Sequence, residues 1–297
     1  MLAHQNAQPE KPARVVVLGA GGVIGKALLA CLKADGIAAL GVGSADIDLQ
    51  AADAADKLKL LLKPDDAVVF LSALTPDKGR DIATLMKNLR MAEAVAAATA
   101  AIKCRQLVYM SSDAVYQFGV GTVDETTPAD PLDLYGVMHK AREVMMMSAV
   151  PADTLAILRC TLVCAADDTH NSYGPNRFRR QAAKEGKITL GGEGKETRDH
   201  VFADDVAELV RLVLVHRSAG LLNAVSGQSY SFGEVAHIVA ASFDPPVEVS
   251  FAGGGGALTH RHYDATALHQ AFPNFHFQPL ETVVAEVGRR CAGRADG

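Results

Sequence analysis

The chain has 297 residues, of which 49% are hydrophobic and 21% are charged, with a formal net charge of −5 at pH 7. This length suits one large α/β domain with a small appended lobe, or two domains. The acidic balance and the lack of a basic tract argue against a nucleic-acid partner. No apolar run approaches the ~20 residues that cross a bilayer, so we expect a soluble protein without a membrane partner.

The N-terminus and the cysteines predict a location. Residues 1–13 lack the apolar core of a signal peptide, and we expect them to form a disordered lead-in. The five cysteines are odd in number and lie mostly in apolar segments, which suits reduced thiols. Neither Cys160 and Cys164 nor His260 and His262 have further ligands at a metal-binding spacing. We therefore predict a cytoplasmic protein without a metal site.

The first predicted unit is a strand, a glycine turn and a helix. Residues 15–18 form a continuous β-branched apolar run, typical of a buried parallel strand. Glycines follow at a spacing of three, and a helical pattern runs on to Gly36. Glycines at a helix N-terminus let backbone N–H groups approach a pyrophosphate, because no Cβ blocks it and the helix dipole favours the anion. The predicted dinucleotide contacts are Gly19, Gly22, Val23, Ile24 and Gly25.

Three more strands follow in alternation with helices. The second, over 37–43, ends at Gly43 and Ser44, which provide neither the acid that usually selects NAD nor an arginine. NAD and NADP both remain open as cofactors, and we favour NAD. The third strand spans 67–71, and the fourth spans 106–110 and delivers Ser111 and Ser112. A serine at the carboxyl end of a parallel strand faces the ligand crevice of an open α/β sheet.

The Gly-x-x-Gly-x-x-Gly turn and the Ser-Ser-x-x-Val-Tyr segment over 111–116 resemble the extended short-chain dehydrogenase/reductases, in particular the NAD-dependent epimerase/dehydratase family. The resemblance implies that Ser112 is catalytic. It implies that Asp46 and Ile47 bracket the adenine, although a polar turn there is an equal alternative. It also places a small-residue stretch beside the cofactor, at Ser72, Ala73 and Leu74.

The residues after Ser112 narrow the reaction. The segment is similar to Ser-Thr-Asp-x-Val-Phe of dTDP-4-dehydrorhamnose reductases, and Asp113 stands at the matching position as a candidate substrate contact. Nucleotide-sugar 4,6-dehydratases place Asp-Glu directly after the catalytic hydroxyl. Ala114 replaces that glutamate, which disfavours water elimination.

Tyr135 precedes a helix and resembles the tyrosine of the family's Tyr-x-x-x-Lys pattern, in which it is the general acid/base. Four residues later stands His139, and Lys140 comes one residue late. Four steps bring a side chain to about 40° from the tyrosine and five to about 140°, so only His139 shares its face in a regular helix. Three alternatives are open. His139 binds the ribose and, if protonated, supplies the charge; a bulge returns Lys140 to the face; or the site has lost its chemistry.

A fifth strand spans 154–158, and two later segments carry candidate substrate contacts. A polar loop contains Asn176 and Arg177, which either hold a nucleotide diphosphate or belong to an ordinary surface loop. The segment from Arg198 to Ala207 resembles Arg-Asp-aromatic-x-x-Val-Asp-Asp-Val-Ala of nucleotide-sugar epimerases and reductases. Arginine suits a diphosphate because its planar fork makes two charge-assisted bonds, so Arg198 is predicted on the pyrophosphate.

Together the patterns predict an α/β protein: a doubly wound Rossmann parallel sheet with a small C-terminal substrate lobe. The dinucleotide-binding domain spans 14–160, and 161–297 completes the sheet and forms the lobe. The resemblance implies an NAD(P)-dependent nucleotide-sugar epimerase or keto-sugar reductase, with Ser112, Tyr135 and His139 as catalytic residues, and a homodimer. The alternative is a catalytically altered protein that still binds a dinucleotide or a nucleotide sugar.

Overall fold

The computed structural model describes residues 1–166, 168, 174–254 and 258–295, with side chains as far as 291. The strands in chain order are β1 (Ala3–His4), β2 (Arg14–Leu18), β3 (Ala39–Val42), β4 (Asp66–Phe70), β5 (Gln106–Ser112), β6 (Thr122–Val123), β7 (Leu155–Cys160), β8 (Leu162–Cys164), β9 (Lys187–Leu190), β10 (Thr197–Phe202), β11 (Ser218–Ala224), β12 (Ser229–Ser231), β13 (Glu248–Phe251) and β14 (His262–Tyr263). The helices are α1 (Val23–Ala34), α2 (Ala54–Leu61), α3 (Ile82–Ile102), α4 (Leu134–Ala149), α5 (Pro175–Glu185), α6 (Ala203–Val215), α7 (Phe232–Ala241), α8 (Thr266–Ala271) and α9 (Leu280–Ala295).

The central sheet has seven strands in the order β1-β11-β7-β5-β4-β2-β3. All neighbours pair in parallel except β1, which is antiparallel to β11. The chain passes from β2 to β3 in one direction and then returns to β4 on the other side of β2. This reversal makes a topological switch point at β2, where open α/β sheets bind ligands beyond the carboxyl ends of their strands.

Alternate residues of β2 enter two separate cores. Val15 and Val17 pack with α1 and α6 on one face, whereas Val16 and Leu18 pack with α2, α3 and α4 on the other. Each fully buried aliphatic side chain contributes about 1.5–3 kcal/mol, which explains the continuous apolar runs that mark these strands in the sequence. The predicted doubly wound α/β sheet is confirmed.

The later part of the chain adds smaller sheets to this frame. One has the order β12-β10-β8, a second pairs β13 with β9, and a third pairs β14 with β6. A third core holds α5, α7 and α9 against the β13–β9 pair, with Phe178, Ile188 and Val235 buried in it. These elements form a small lobe beside the carboxyl edge of the central sheet.

The N-terminus differs from the expected disordered lead-in. Residues Ala3 and His4 form an edge strand that pairs with Ala219 and Ser218 of β11. The His4 ring is 2.8 Å from the Ser218 hydroxyl through Nδ1 and 2.9 Å from the Ala271 carbonyl through Nε2. A strand of two residues has no periodicity of its own in the sequence, and here its order comes from pairing with β11.

Candidate active site

A cleft of about 980 Å³ opens between the carboxyl edge of the central sheet and the small lobe. Its volume is at the upper end of the range for pockets that hold small molecules and cofactors. Of the residues predicted for the site, thirteen line it: Gly19, Gly22, Val23, Ile24, Gly25, Ala73, Leu74, Ser112, Asp113, Tyr135, His139, Arg177 and Arg198. The glycine turn, the serine segment, the α4 tyrosine and the lobe arginines therefore share one cavity.

The glycine turn brings the N-terminus of α1 to the cleft. Gly19 has φ +98°, a left-handed conformation that favours glycine. A Cβ on Gly25 would lie 2.3 Å from the Gly19 carbonyl oxygen, so only glycine allows this close return of the chain. The first N–H groups of a helix have no intrahelical carbonyl partner, and here they lie at one end of the cleft. This end has the geometry to hold a pyrophosphate.

The segment after β4 forms one wall. Ala73 and Leu74 line the cleft, and the side chain of Asn88 on α3 holds the backbone of Leu74 through two hydrogen bonds of 2.9 and 3.1 Å. Asn88 is buried, and because its side chain both accepts from and donates to the Leu74 backbone, it fixes the conformation of this loop. The loop continues through 75–81, which also lines the cleft and includes Lys78 and Arg80.

Ser112 and Tyr135 both line the cleft, and their side chains lie close enough to interact. The Ser112 oxygen accepts a hydrogen bond of 3.1 Å from the Ala114 N–H, and its hydroxyl lies 3.3 Å from Oδ1 of Asp113. Burial, together with Tyr109 and Asp113, raises the pKa of Tyr135, whereas Ser112 and Arg142 lower it. Asp133 caps α4 by accepting a 2.8 Å bond from the Gly136 N–H, which fixes where the tyrosine helix begins.

His139 lies on the same face of α4 as Tyr135, as the helical period predicts. The two rings meet edge to face at 4.8 Å, and Nδ1 of His139 is 2.8 Å from the Tyr109 hydroxyl. His139 is 3% exposed, and burial together with the Arg142 guanidinium lowers its pKa to about 3. In this environment the neutral imidazole is favoured at physiological pH, which argues against the alternative in which a protonated His139 supplies the missing charge.

Lys140 does not return to the Tyr135 face. Helix α4 is continuous from Leu134 to Ala149, and the Lys140 ammonium points to Glu143 at 3.9 Å from a half-exposed position. Glu143 is itself occupied by Arg159, which donates two bonds of 2.9 and 2.8 Å to its carboxylate. The expected alternative of a local bulge is therefore absent from α4.

The lobe contributes arginines to the opposite wall. Arg198 donates bonds of 2.8 Å to the carbonyls of Thr197 and Thr259 and stacks 4.6 Å from the Phe118 ring centre. Arg261 lies 4.1 Å from the same ring, so the two guanidinium groups share one aromatic side chain. This arrangement places two guanidinium groups side by side on the wall of the cleft.

Four predicted residues lie outside the cleft lining. The Asp46 carboxylate accepts a 2.8 Å bond from the Gly43 N–H, and Ile47 is buried in the core under β3. Ser72 packs against Gly19 and gives its carbonyl to Arg142. Asn176 is buried, where its oxygen accepts a 3.3 Å bond from the Ala165 N–H and its amide donates to Asp168 at 2.5 Å. Its side chain thus ties α5 to the segment after β8.

Sequence reasoning did not identify several cleft residues. The polar loop with Lys78 and Arg80 follows a buried strand directly, a position that could have marked it. Phe118 and Arg261 are 143 positions apart and carry no local motif.

His260 and His262 both approach the Thr197 hydroxyl, at 3.1 and 3.4 Å. In the described part of the chain, no three side chains of the metal-binding types are grouped to hold an ion, and no helix has the length and apolarity to span a membrane.

Several solved structures have the same fold. A GDP-L-fucose synthetase from Naegleria fowleri superposes with a TM-score of 0.84 at 17% identity, over 98% of each chain. RMD from Pseudomonas aeruginosa, in complex with NADPH, reaches 0.81 at 22% identity over 97% of this chain and all of the other. The UDP-N-acetylglucosamine 4-epimerase from Bacillus cereus reaches 0.79 at 21% identity, over 94% and 99%. At these identities the likeness shows the fold.

Sequence comparison gives the family. A dTDP-L-rhamnose 4-epimerase from Burkholderia thailandensis is 28% identical over 182 residues, which cover 56% of this chain and 47% of that protein. The match thus spans less than half of the relative's length. Residues 15–225, from the second residue of β2 to the residue after β11, match a single family model. The chain belongs to the NAD dependent epimerase/dehydratase family.

Proposed function

We propose that this protein is an NAD(P)-dependent nucleotide-sugar epimerase or keto-sugar reductase. The observation that carries the proposal is the convergence of Tyr135, Ser112 and the α1 glycine turn on one cleft. A general acid/base, a hydrogen-bonding hydroxyl and a pyrophosphate cradle are the parts that alcohol–ketone interconversion needs. The residues of the turn fit a dinucleotide, because a Cβ on Gly25 would collide with the Gly19 carbonyl and close the cradle.

The side chains divide the work at the sugar. The Tyr135 hydroxyl gives a proton to the keto oxygen during reduction and takes it back during oxidation, while Ser112 donates a hydrogen bond to the same oxygen. The hydride joins the carbonyl carbon of the sugar during reduction and leaves it during oxidation, and bound NAD(P) would supply its donor or acceptor at the nicotinamide. An epimerase carries out oxidation and reduction in turn, whereas a reductase carries out only the reduction. Arg198 and Arg177 would bind the diphosphate, and Asp113 would contact the sugar.

We propose NAD as the preferred cofactor. The Asp46 carboxylate lies at the carboxyl end of β3, where its bond to the Gly43 N–H holds it. A carboxylate at this place in a dinucleotide fold accepts from the ribose 2′-hydroxyl and repels a 2′-phosphate. We further propose that Asp46 and the adjacent Ile47 contact the adenosine at this end of β3. Tighter binding of NAD than of NADP, reduced or reversed in Asp46→Asn, is expected, and the exposed Asp48→Asn is the matched control.

The first test is to denature the purified protein and identify released nucleotides by mass spectrometry. Stoichiometric NAD that survives purification supports an epimerase, which regenerates its cofactor in place. Protein without nucleotide that binds reduced cofactor reversibly supports a reductase. Binding of neither form contradicts both.

A second candidate is a dinucleotide- or nucleotide-sugar-binding protein without turnover, and the neutral His139 at the lysine position favours it. Turnover of a panel of nucleotide sugars separates the two. In an enzyme, Tyr135→Phe retains dinucleotide affinity and loses about 10²–10⁴-fold in kcat, the contribution of general acid–base catalysis. Full activity in Tyr135→Phe would remove this residue from the reaction.

A further inference from the structure

Arg142 is a buried cation on the tyrosine helix. It follows Tyr135 by seven residues, about two helical turns, so it shares the face of Tyr135 and His139. Its side chain has an exposed fraction of 0%. Nε donates to the Asn88 carbonyl at 3.0 Å, Nη1 donates to the Ser72 carbonyl at 2.8 Å, and the guanidinium carbon lies 4.7 Å from the centre of the Phe70 ring.

This charge has no counter-ion among the described residues. The hydrogen bonds of Arg142 Nε and Nη1 go to backbone carbonyls rather than to a carboxylate, and its buried Nη2 makes no hydrogen bond of ordinary geometry in the described part of the chain. The adjacent Glu143 is paired with Arg159 at 2.8 Å instead. Burying an unpaired ion destabilises the fold, and an apolar side chain would fill the same volume without that penalty. A structural role alone leaves this charge unexplained.

Two polar groups connect Arg142 with the cleft. The guanidinium lies close enough to the Tyr109 hydroxyl for the two groups to interact. The Tyr109 hydroxyl is 2.8 Å from Nδ1 of His139. The other ring nitrogen of His139, Nε2, is buried and has no partner among the described residues, in a ring that lines the cleft.

We propose that Arg142 supplies the positive charge that the lysine supplies in a Tyr-x-x-x-Lys site, and that Tyr109 and His139 relay its effect to the cleft. The inference rests on the proposed proton transfer at Tyr135. Arginine only donates hydrogen bonds, so beside Arg142 the Tyr109 hydroxyl turns its proton toward Nδ1 of His139. A neutral His139 then carries its own proton on Nε2, and this N–H donates a hydrogen bond to a ribose hydroxyl.

The two duties of the lysine are thereby divided. His139 keeps the hydrogen-bond donor at the helical position of the lysine, and Arg142 keeps the charge one turn further along. Burial lowers the pKa of Arg142 from its ordinary value, but an arginine remains protonated throughout the physiological range, so this charge does not vanish near neutral pH as that of a histidinium would. Ser112 and Arg142 are the groups that lower the pKa of Tyr135, against the effects of burial, Tyr109 and Asp113. Arg142 and Tyr109 act as positioning residues.

The wild-type protein provides the first test. Nitrogen-15 NMR of histidine-labelled protein distinguishes the imidazolium from the two neutral tautomers, and His139→Gln assigns the signal. We expect neutral His139 with the proton on Nε2 throughout about pH 5 to 8. In Tyr109→Phe this preference for one tautomer is lost. An imidazolium in this range, or a proton on Nδ1 in the wild type, would overturn the relay.

The second test measures the acidity of residue 135 directly. Tyr135 is replaced by 3,5-difluorotyrosine, whose ring fluorines bring the phenol pKa toward neutrality, and fluorine NMR follows its titration in the substrate-free protein. Arg142→Met should raise this pKa by about one unit or more, and Arg142→Lys should keep most of the wild-type value. Arg142→Met combined with His139→Lys should restore it. The matched control, Arg14→Met, removes an arginine paired with Asp66 at the far end of β2 and should not change it.

A folded Arg142→Met variant with an unchanged phenol pKa would refute the proposal. Arg142 also ties Ser72 to Asn88, so its replacement could prevent folding. In that case the tautomer of His139 in the wild type and in Tyr109→Phe decides the matter. Both readouts need neither substrate nor turnover. A protein that shows the expected tautomer and pKa shift but converts no nucleotide sugar would refute the proposed function alone. Turnover with an unaffected phenol pKa would refute the role of Arg142 alone.

Discussion

The Tyr263 hydroxyl donates a hydrogen bond of 2.6 Å to Oδ2 of Asp113, which lies 150 positions earlier in the chain. The Thr161 hydroxyl donates to the same oxygen at 3.2 Å, and Arg261 is 3.3 Å from it. These four side chains are buried together. The C-terminal segment therefore holds the aspartate that follows Ser112, and this wall of the cleft depends on residues that are far apart in the chain.

Tyr263→Phe removes one donor from this buried carboxylate. We expect the free energy of unfolding to fall by about 1–3 kcal/mol, since the remaining acceptor stays buried with fewer partners. Urea unfolding measures the change. The control is Ser148→Ala, which deletes an exposed hydroxyl bonded to the Met145 carbonyl and should change stability by less than about 0.5 kcal/mol. A Tyr263→Phe protein as stable as the wild type would show that the carboxylate does not need this bond.

Two glycines of the first turn give a matched pair of alanine substitutions. A Cβ on Gly25 would lie 2.3 Å from the Gly19 carbonyl and 2.9 Å from the Ala20 Cα, both backbone atoms that must shift. A Cβ on the exposed Gly21 would meet no atom within 4 Å among the described residues. Gly25→Ala should therefore cost about 1–3 kcal/mol of stability and weaken dinucleotide binding about tenfold or more.

Calorimetric titration with NAD and NADH measures the dinucleotide affinity. Gly21→Ala should keep its free energies of unfolding and of dinucleotide binding within about 0.5 kcal/mol of the wild type. Equal losses in both variants would mean that the contact between Gly25 and Gly19 does not shape the cradle. Unchanged binding in both would separate the turn from the dinucleotide site.

The parallel sheet and much of the cleft were predictable because their signals are local. A β-branched run buried on both faces marks β2 and β4, and a polar residue directly after such a strand must lie at the carboxyl edge. Ser112 was found in this way, and the glycine spacing after β2 marked Gly19. His139 was placed correctly beside Tyr135 because the helical period fixes its direction.

The remainder depended on contacts that the sequence does not display. The same period places Arg142 on the Tyr135 face, but only the fold shows that its charge is buried without a carboxylate. Asn176 resembled a ligand-binding amide, whereas its partners in space are the Ala165 N–H and Asp168. Arg261 reaches the cleft through long-range packing, and no motif near it marks that position. Polar side chains thus revealed their type in the sequence and their role only in the fold.

The buried neutral His139 predicts a dependence of stability on acid. Its pKa is about 3 in the folded protein and near the ordinary value of about 6.5 when unfolded, so the unfolded chain binds more protons between these values. The stabilisation is therefore present above about pH 6.5 and is lost as the pH falls, by about 1.4 kcal/mol per pH unit. The groups that face the ring are Tyr109 from β5 and Tyr135 and Arg142 from α4, and none of them titrates in this range.

His139→Gln removes this proton uptake. In urea unfolding at several pH values from 7 to 4, the variant should lose less stability than the wild type for each pH unit. His237→Gln is the control, since His237 is exposed on α7 and should leave the slope unchanged. A His139→Gln protein with the wild-type slope would mean that His139 is protonated in the folded state, contrary to the neutral relay.

The last prediction concerns the diphosphate. Arg198 is held by the Thr197 and Thr259 carbonyls and by the Thr259 hydroxyl at 2.7 Å, with its guanidinium against Phe118. Arg198→Lys keeps the charge but loses the planar fork, and lysine cannot make two parallel bonds to a diphosphate. The affinity for UDP, GDP or dTDP, whichever the protein binds, should fall about tenfold or more, the equivalent of one charge-assisted bond.

Dinucleotide affinity should stay unchanged in Arg198→Lys, because the glycine turn is at the other end of the cleft, and calorimetry measures both ligands on the same protein. Arg289→Lys serves as the control, because Arg289 is exposed on α9 and pairs with Glu286. Equal nucleoside diphosphate binding by Arg198→Lys and the wild type would indicate that Arg177 or Arg261, rather than Arg198, binds the diphosphate. Binding of none of the three nucleotides by the wild type would contradict a nucleotide-sugar substrate, since the diphosphate is the part these arginines are placed to recognise.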